Sequence, residues 1–149
     1  MLSKEKALQR WFHEVWAQEN SGAIFELFQP DGGKEQKVAY GFKKDEAISP
    51  EEFAAFHAAL LNLIGDIQVS IDFVVETEDW ITAECTLAAK SRASGLEKEV
   101  GMKGVVIVKF EEGIIKEAKN YFDFISLFEA LELLPENTMQ RCLAGEKIC

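Results

Sequence analysis

Between Gly113 and Pro135 the spacing of apolar residues changes from the repeat of a strand to that of a helix, and few architectures accommodate such a junction. Ile114, Lys116, Ala118, Asn120 and Phe122 alternate with Ile115, Glu117, Lys119, Tyr121 and Asp123, the period of two that sends successive side chains to opposite faces. From Phe124 the spacing is helical. Ile125, Phe128, Leu131 and Leu134, with Leu127 beside them, form one stripe, while Ser126, Glu129, Ala130 and Glu132 face out. The spacing predicts a helix over Phe124 to Leu134, stopped by Pro135, with Asp123 as its N-cap. A strand that runs straight into an amphipathic helix must share a core with it.

The chain upstream supplies the rest of that core. Leu8, Trp11, Phe12, Val15 and Trp16 share one face of a first helix, and Asn20-Ser21-Gly22 breaks it before a short second helix over Ala23 to Phe28. Residues 29–49 read as loop, with Val38 to Phe42 as a short strand inside it. Ser49-Pro50-Glu51-Glu52 starts a third helix by a capping box, Phe53, Phe56, His57, Leu60, Leu61 and Ile64 form its apolar face, and Gly65 is expected to end it in the left-handed conformation. Three alternating strands follow. In the first, Ile67, Val69, Ile71, Phe73 and Val75 alternate with Gln68, Ser70, Asp72, Val74 and Glu76; Glu78-Asp79 turns the chain into Trp80 to Lys90; after Ser91 to Gly95 comes Val100 to Phe110. Helices first, then four consecutive strands, then a helix make an α+β domain in which a curved antiparallel sheet wraps the three N-terminal helices. Residues 1–135 hold that domain, and 136–149 form a C-terminal extension in which Asn137 or Thr138 caps a short helix or the terminus frays.

Composition narrows the function. A net charge of −10 repels polyanions, which argues against nucleic acid and an anionic membrane surface as partners. No apolar run is long enough to span a bilayer and the N-terminus does not read as a signal peptide, so the expected location is cytoplasmic. Cys85, Cys142 and Cys149 are odd in number and far apart, as expected of reduced thiols, with Cys85 a small core residue. The sequence has no nucleophile elbow, phosphate loop or metal-spaced His/Cys set, and no cofactor or metal is expected.

The residues Glu112-Gly113, Ala118-Lys119-Asn120-Tyr121-Phe122-Asp123 and Leu133-Leu134-Pro135, with Trp16-Ala17-Gln18 near the start, resemble the SnoaL-like polyketide cyclases, within the cone-shaped α+β domains named after nuclear transport factor 2. In that family a Glu/Asp-Gly turn leads into a last strand and a Leu-rich helix ending in Leu-Pro. The resemblance implies an apolar pocket for a small hydrophobic molecule, cyclic ones included, and a homodimer formed through the outer face of the sheet, where Trp80, Val105 and Ile107 supply apolar side chains. It also implies acid-base chemistry without a cofactor, of the cyclase, isomerase or lyase type. The alternative is a noncatalytic ligand-binding or dimerisation module on the same fold. The family's acid falls at Asn120 and its histidine at Ala118. An amide donates and accepts hydrogen bonds but does not take a proton at neutral pH.

The candidate site is therefore Asn120, with His57 as the proton-active neighbour and Tyr40, Phe56, Phe73, Met102 and Phe122 as the substrate-binding wall. His57 is read either as a satisfied core histidine or as a tuned pocket imidazole, and Tyr40 either as a packing residue or as a pocket hydroxyl. Asp72 is the second choice for a carboxylate in the cavity, and His13 belongs to a polar helix face. The segment Lys90 to Lys98, shorter than the family's loop, implies a more open mouth.

Overall fold

A computed structural model describes residues 3–27, 50–93 and 95–148, and the backbone of 37–40. Its elements in chain order are α1 (Lys4–Trp11), a π-helical turn (Phe12–Ala17), α2 (Gly22–Leu27), β1 (Lys37–Tyr40) and α3 (Pro50–Leu61). They continue with β2 (Ile64–Glu76), β3 (Trp80–Ser91), β4 (Glu99–Glu111), β5 (Ile114–Phe122), α4 (Phe124–Ala130) and α5 (Thr138–Leu143). The strands form one sheet in the order β1-β5-β4-β3-β2, antiparallel throughout except for β1, which lies parallel to β5 with Tyr40 opposite Asn120. The expected α+β architecture is present. The Ser49 cap expected before α3, with the other residues of 28–36 and 41–49, lies outside the described residues. Among those described, no helix is long and apolar enough to cross a membrane.

The inner face of the sheet is set by strand register. Ile81, Ala83, Cys85, Leu87 and Ala89 of β3 are all buried, and opposite them on β4 stand Val108, Val106, Gly104, Met102 and Val100. Asn120 of β5 pairs with Val106, and Phe122 with Gly104. Against this face pack Leu8, Trp11, Phe12, Val15 and Trp16 from the N-terminal helix, and Phe53 and Leu60 from α3. Each fully buried aliphatic or aromatic side chain there contributes on the order of 1.5–3 kcal/mol relative to exposure.

Three expectations are corrected. Phe73 does not line the interior. The pairing of β2 with β3 shifts register between Ile71 and Phe73, a bulge that inserts one residue and turns Phe73 and Val75 to the outer face, where they are 65% and 51% exposed. Second, α3 ends at Leu61 and Gly65 lies in β2; the left-handed residue is Asp66, with φ of 50°. Gly65 is instead a close approach, because a Cβ there would overlap the Arg92 guanidinium. That guanidinium donates to Leu61 O at 2.5 Å and pairs with Glu19 at 2.6 Å, joining the end of α3 to the end of the first helix.

Third, α4 stops at Ala130, a turn short of Leu134. Glu132 takes φ of 61°, its N–H bonds to Glu129 O, and the N–H of Leu133 reaches back to Phe128 O, the bond pattern of a Schellman motif. The buried pair is thus Leu127 and Leu131, while Ile125 and Leu133 are exposed. Asp123 caps the helix as expected, accepting from the Ser126 N–H at 3.1 Å and its hydroxyl at 2.6 Å. Along the extension, α5 is held to α4 by Glu129, whose carboxylate accepts from the buried Thr138 N–H at 2.5 Å; the Asn137 side chain makes no capping bond.

Candidate functional site

The π-helical turn directs two rings into the cone. Widening the helix at Phe12–Ala17 sends the Gln18 N–H to His13 O and the Asn20 N–H to Glu14 O, and Glu19 closes the turn with φ of 55°. Val15 O, one of the last-turn carbonyls that a helix leaves unsatisfied, accepts instead from His57 Nε2 at 2.6 Å. The imidazole is 1% exposed and meets Trp16 edge to face at 4.8 Å. Burial lowers its pKa from the usual 6.5, opposed by the bond to Val15 and by the Glu19 carboxylate. His57 is therefore a neutral buried histidine that fixes the wall carrying Trp16.

Beyond Trp16 lies a cavity of about 40 Å³. Its walls are the rings of Phe12 and Trp16 from the π-helical turn, Phe53 and Phe56 from α3, Phe122 from β5 and Phe124 from α4. Leu60, Val69, Leu87 and Met102 complete it, and Asn120 supplies an amide. The Asn120 side chain is half-buried, has no protein hydrogen-bond partner among the described residues, and also lines a smaller void of about 10 Å³ beside Ala118. None of the lining residues just named carries a titratable side chain. A carbonyl or hydroxyl placed here would find a donor and an acceptor in Asn120, in surroundings that strengthen a hydrogen bond.

The cavity thus brings together Asn120, Phe56, Met102 and Phe122. His57 stands one ring away, behind Trp16, and Phe73 is on the far side of the sheet. The Tyr40 side chain lies outside the described residues. Asp72 is exposed and accepts from Thr86 Oγ1 at 2.6 Å, and Glu84 is exposed on the same outer face, so neither enters the cavity. Sequence reading missed Phe12, Trp16 and Phe53 as walls, although their helical spacing already placed them on buried faces. No group of His, Cys, Asp and Glu among the described residues is arranged to hold a metal ion. The volume of 40 Å³ exceeds the roughly 10–15 Å³ that admits a water but falls below the ~150 Å³ of a cavity that takes benzene.

A larger concavity of about 770 Å³, bordered by Asp66, Gln68, Lys90, Glu99 and Gly101, is a less favourable site. It is an open groove, and the Lys90–Asp66 pair in it, 3.5 Å apart, is solvated.

Comparison with known proteins agrees with this fold. No curated protein matches the chain by sequence. Among solved structures, AclR of Streptomyces galilaeus, named a putative hydroxylase, superposes with a TM-score of 0.71 at 17% identity, covering 97% of this chain and 92% of its own. A putative polyketide cyclase from Acidithiobacillus ferrooxidans gives 0.71 at 15% identity, over 89% of this chain and 99% of its own. A putative SnoaL-like polyketide cyclase from Jannaschia sp. CCS1 gives 0.66 at 18% identity, over 88% and 92%. At these identities the likeness establishes the nuclear transport factor 2-like fold and leaves activity aside. The sequence itself is more specific: the SnoaL-like polyketide cyclase model matches residues 6–131, which takes in every described wall of the cavity, and the chain belongs to that family.

Proposed function

We propose that this protein holds a small hydrophobic cyclic molecule in the aromatic cavity, with a carbonyl or hydroxyl of the ligand hydrogen-bonded to Asn120. The observation that carries the reading is the described lining: six aromatic rings and one amide without a hydrogen-bond partner among the described residues, and no carboxylate or imidazole in that lining. Such a site desolvates and orients a ketone. Its amide can stabilise a developing enolate by donation, but removal of a proton from carbon needs a base that these residues do not provide. Cyclase-type turnover is the second reading, favoured by the family match over residues 6–131.

Calorimetric titration with cyclohexanone tests the binding reading. Asn120→Ala should weaken binding by about 1–3 kcal/mol, the cost of leaving a ligand carbonyl unpaired in an apolar site; equal affinity of the two proteins would remove Asn120 from the site. We also propose a homodimer through the outer face of the sheet. Phe73, Val75 and Tyr121 are exposed there beside half-buried Val105 and Ile107, more apolar surface than a solvated sheet face requires.

A further inference from the structure

A cavity of about 40 Å³ is closed to a ring-sized ligand, so an occupant must displace a wall, and the walls are not equally free to move. Phe12, Trp16 and Phe53 are 5%, 8% and 4% exposed and belong to the packed core. Phe122 is fixed from beneath. Gly104, its partner across β4 and β5, has no side chain to separate the ring from the sheet. A Cβ at Gly104 would overlap Phe122 Cγ and Cδ1 and lie 2.5 Å from Tyr121 O. The ring therefore rests against the strand, and any larger residue at 104 would drive it into the cavity.

Phe56 and Phe124 differ. Both line the cavity and both are only half-buried. Their rings meet edge to face at 5.9 Å, yet they come from elements with different supports: α3 packs on α2 and β2, whereas α4 packs on β4 and α5. Rotation of Phe56 breaks its ring contacts with Phe124, Phe53 and Trp16, and rotation of Phe124 those with Phe56 and Phe128, each of a kind worth about 0.5–1.5 kcal/mol.

We propose that Gly104 is the size-determining position of the cavity and that the Phe56–Phe124 pair is its door. The floor is immovable because Phe122 already lies as far back as the backbone allows. The ligand enters between α3 and α4 and comes to rest with its polar atom at Asn120. This rests on the ligand-holding reading above, and the class it admits is a single-ring ketone or alcohol rather than a polycycle.

The test follows cyclohexanone by the methyl signals of Met102 and Leu87, both cavity residues, in the unmodified chain and in Gly104→Ala, Phe56→Ala and Phe124→Ala. Each door variant should raise the association rate about tenfold, since binding no longer waits for a conformational step. Gly104→Ala should weaken binding at least tenfold, and adding Phe122→Ala to it, which removes the Cγ and Cδ1 that a Cβ at 104 overlaps, should restore binding. An unchanged association rate in both door variants, or a double variant that does not recover, overturns the proposal. Should the unmodified chain bind no probe, the ligand-holding reading fails by itself. Microsecond-to-millisecond ring exchange at Phe56 and Phe124 but not at Phe53, measured by relaxation dispersion without ligand, then upholds the door, and its absence removes it.

Discussion

Replacing His57 by Phe isolates a single hydrogen bond. The ring keeps its edge contact with Trp16, but the donor to Val15 O is lost and a last-turn carbonyl is left buried without a partner. An orphaned buried acceptor costs about 1–3 kcal/mol. At about 2–4 °C per kcal/mol for a chain of this size, the melting temperature at pH 7.5 should fall by roughly 2–12 °C. The pH dependence supplies a signature that a packing defect lacks. Burial holds the His57 pKa below 6.5, so the unfolded chain takes up a proton first as the solution is acidified. Stability from neutral His57 is complete above pH 6.5, declines as the pH falls from there to the folded-state pKa, and levels off below it. His57→Phe should abolish that component of the slope. Thermal melts by circular dichroism from pH 8 to pH 5 measure both effects. A variant that melts with the parent at pH 7.5 and keeps its slope would refute the reasoning.

Other outcomes follow from the same geometry. Burial, aided by the Asp72 and Glu84 carboxylates, pushes the Cys85 thiol up to about 12, so Cys85 should resist a thiol reagent at pH 8 until the chain is unfolded, while exposed Cys142 reacts at once; mass spectrometry of the labelled peptides decides. Glu112 and Gly113, with φ of 54° and 79°, occupy the two left-handed positions of the β4–β5 hairpin turn, and Glu112→Asn should stabilise by about 0.5–1 kcal/mol in urea titrations; a loss of stability would contradict the turn. Phe73→Asp on the outer face should convert a dimer to a monomer at micromolar concentration in light scattering, and an unchanged mass would exclude that face.

The sequence made most of this architecture legible because strand and helix periods survive in the packed state. The four antiparallel strands, the strand-to-helix junction at Phe122 and Phe124, and the cap at Asp123 all rest on local patterns. What was not legible depended on register or on distant contacts. Alternation placed Phe73 inside, and one bulge after Ile71 reversed it. Leu134 fitted the helical stripe, but the left-handed turn at Glu132 ended the helix first. Gly65 read as a helix cap, whereas its small size answers to Arg92, a residue 27 positions away in sequence. Of the residues that line the cavity, Asn120 and Phe122 were legible from strand alternation and family resemblance, and Phe56 from helical spacing. The bond between His57 and Val15 was hidden, since nothing local indicates which carbonyl a buried imidazole will meet.

The central claim is that the cavity provides a hydrogen bond at Asn120 and, from its described lining, no base. Deuterium uptake at the acidic carbon of a bound aromatic polyketide model compound, followed by NMR in the unmodified chain and in Asn120→Asp, tests it most directly. The account predicts exchange at the buffer rate in the unmodified chain and an acceleration on the order of 10²–10⁴-fold once a carboxylate stands at that position. Rapid exchange in the unmodified chain that disappears in Asn120→Ala would contradict it.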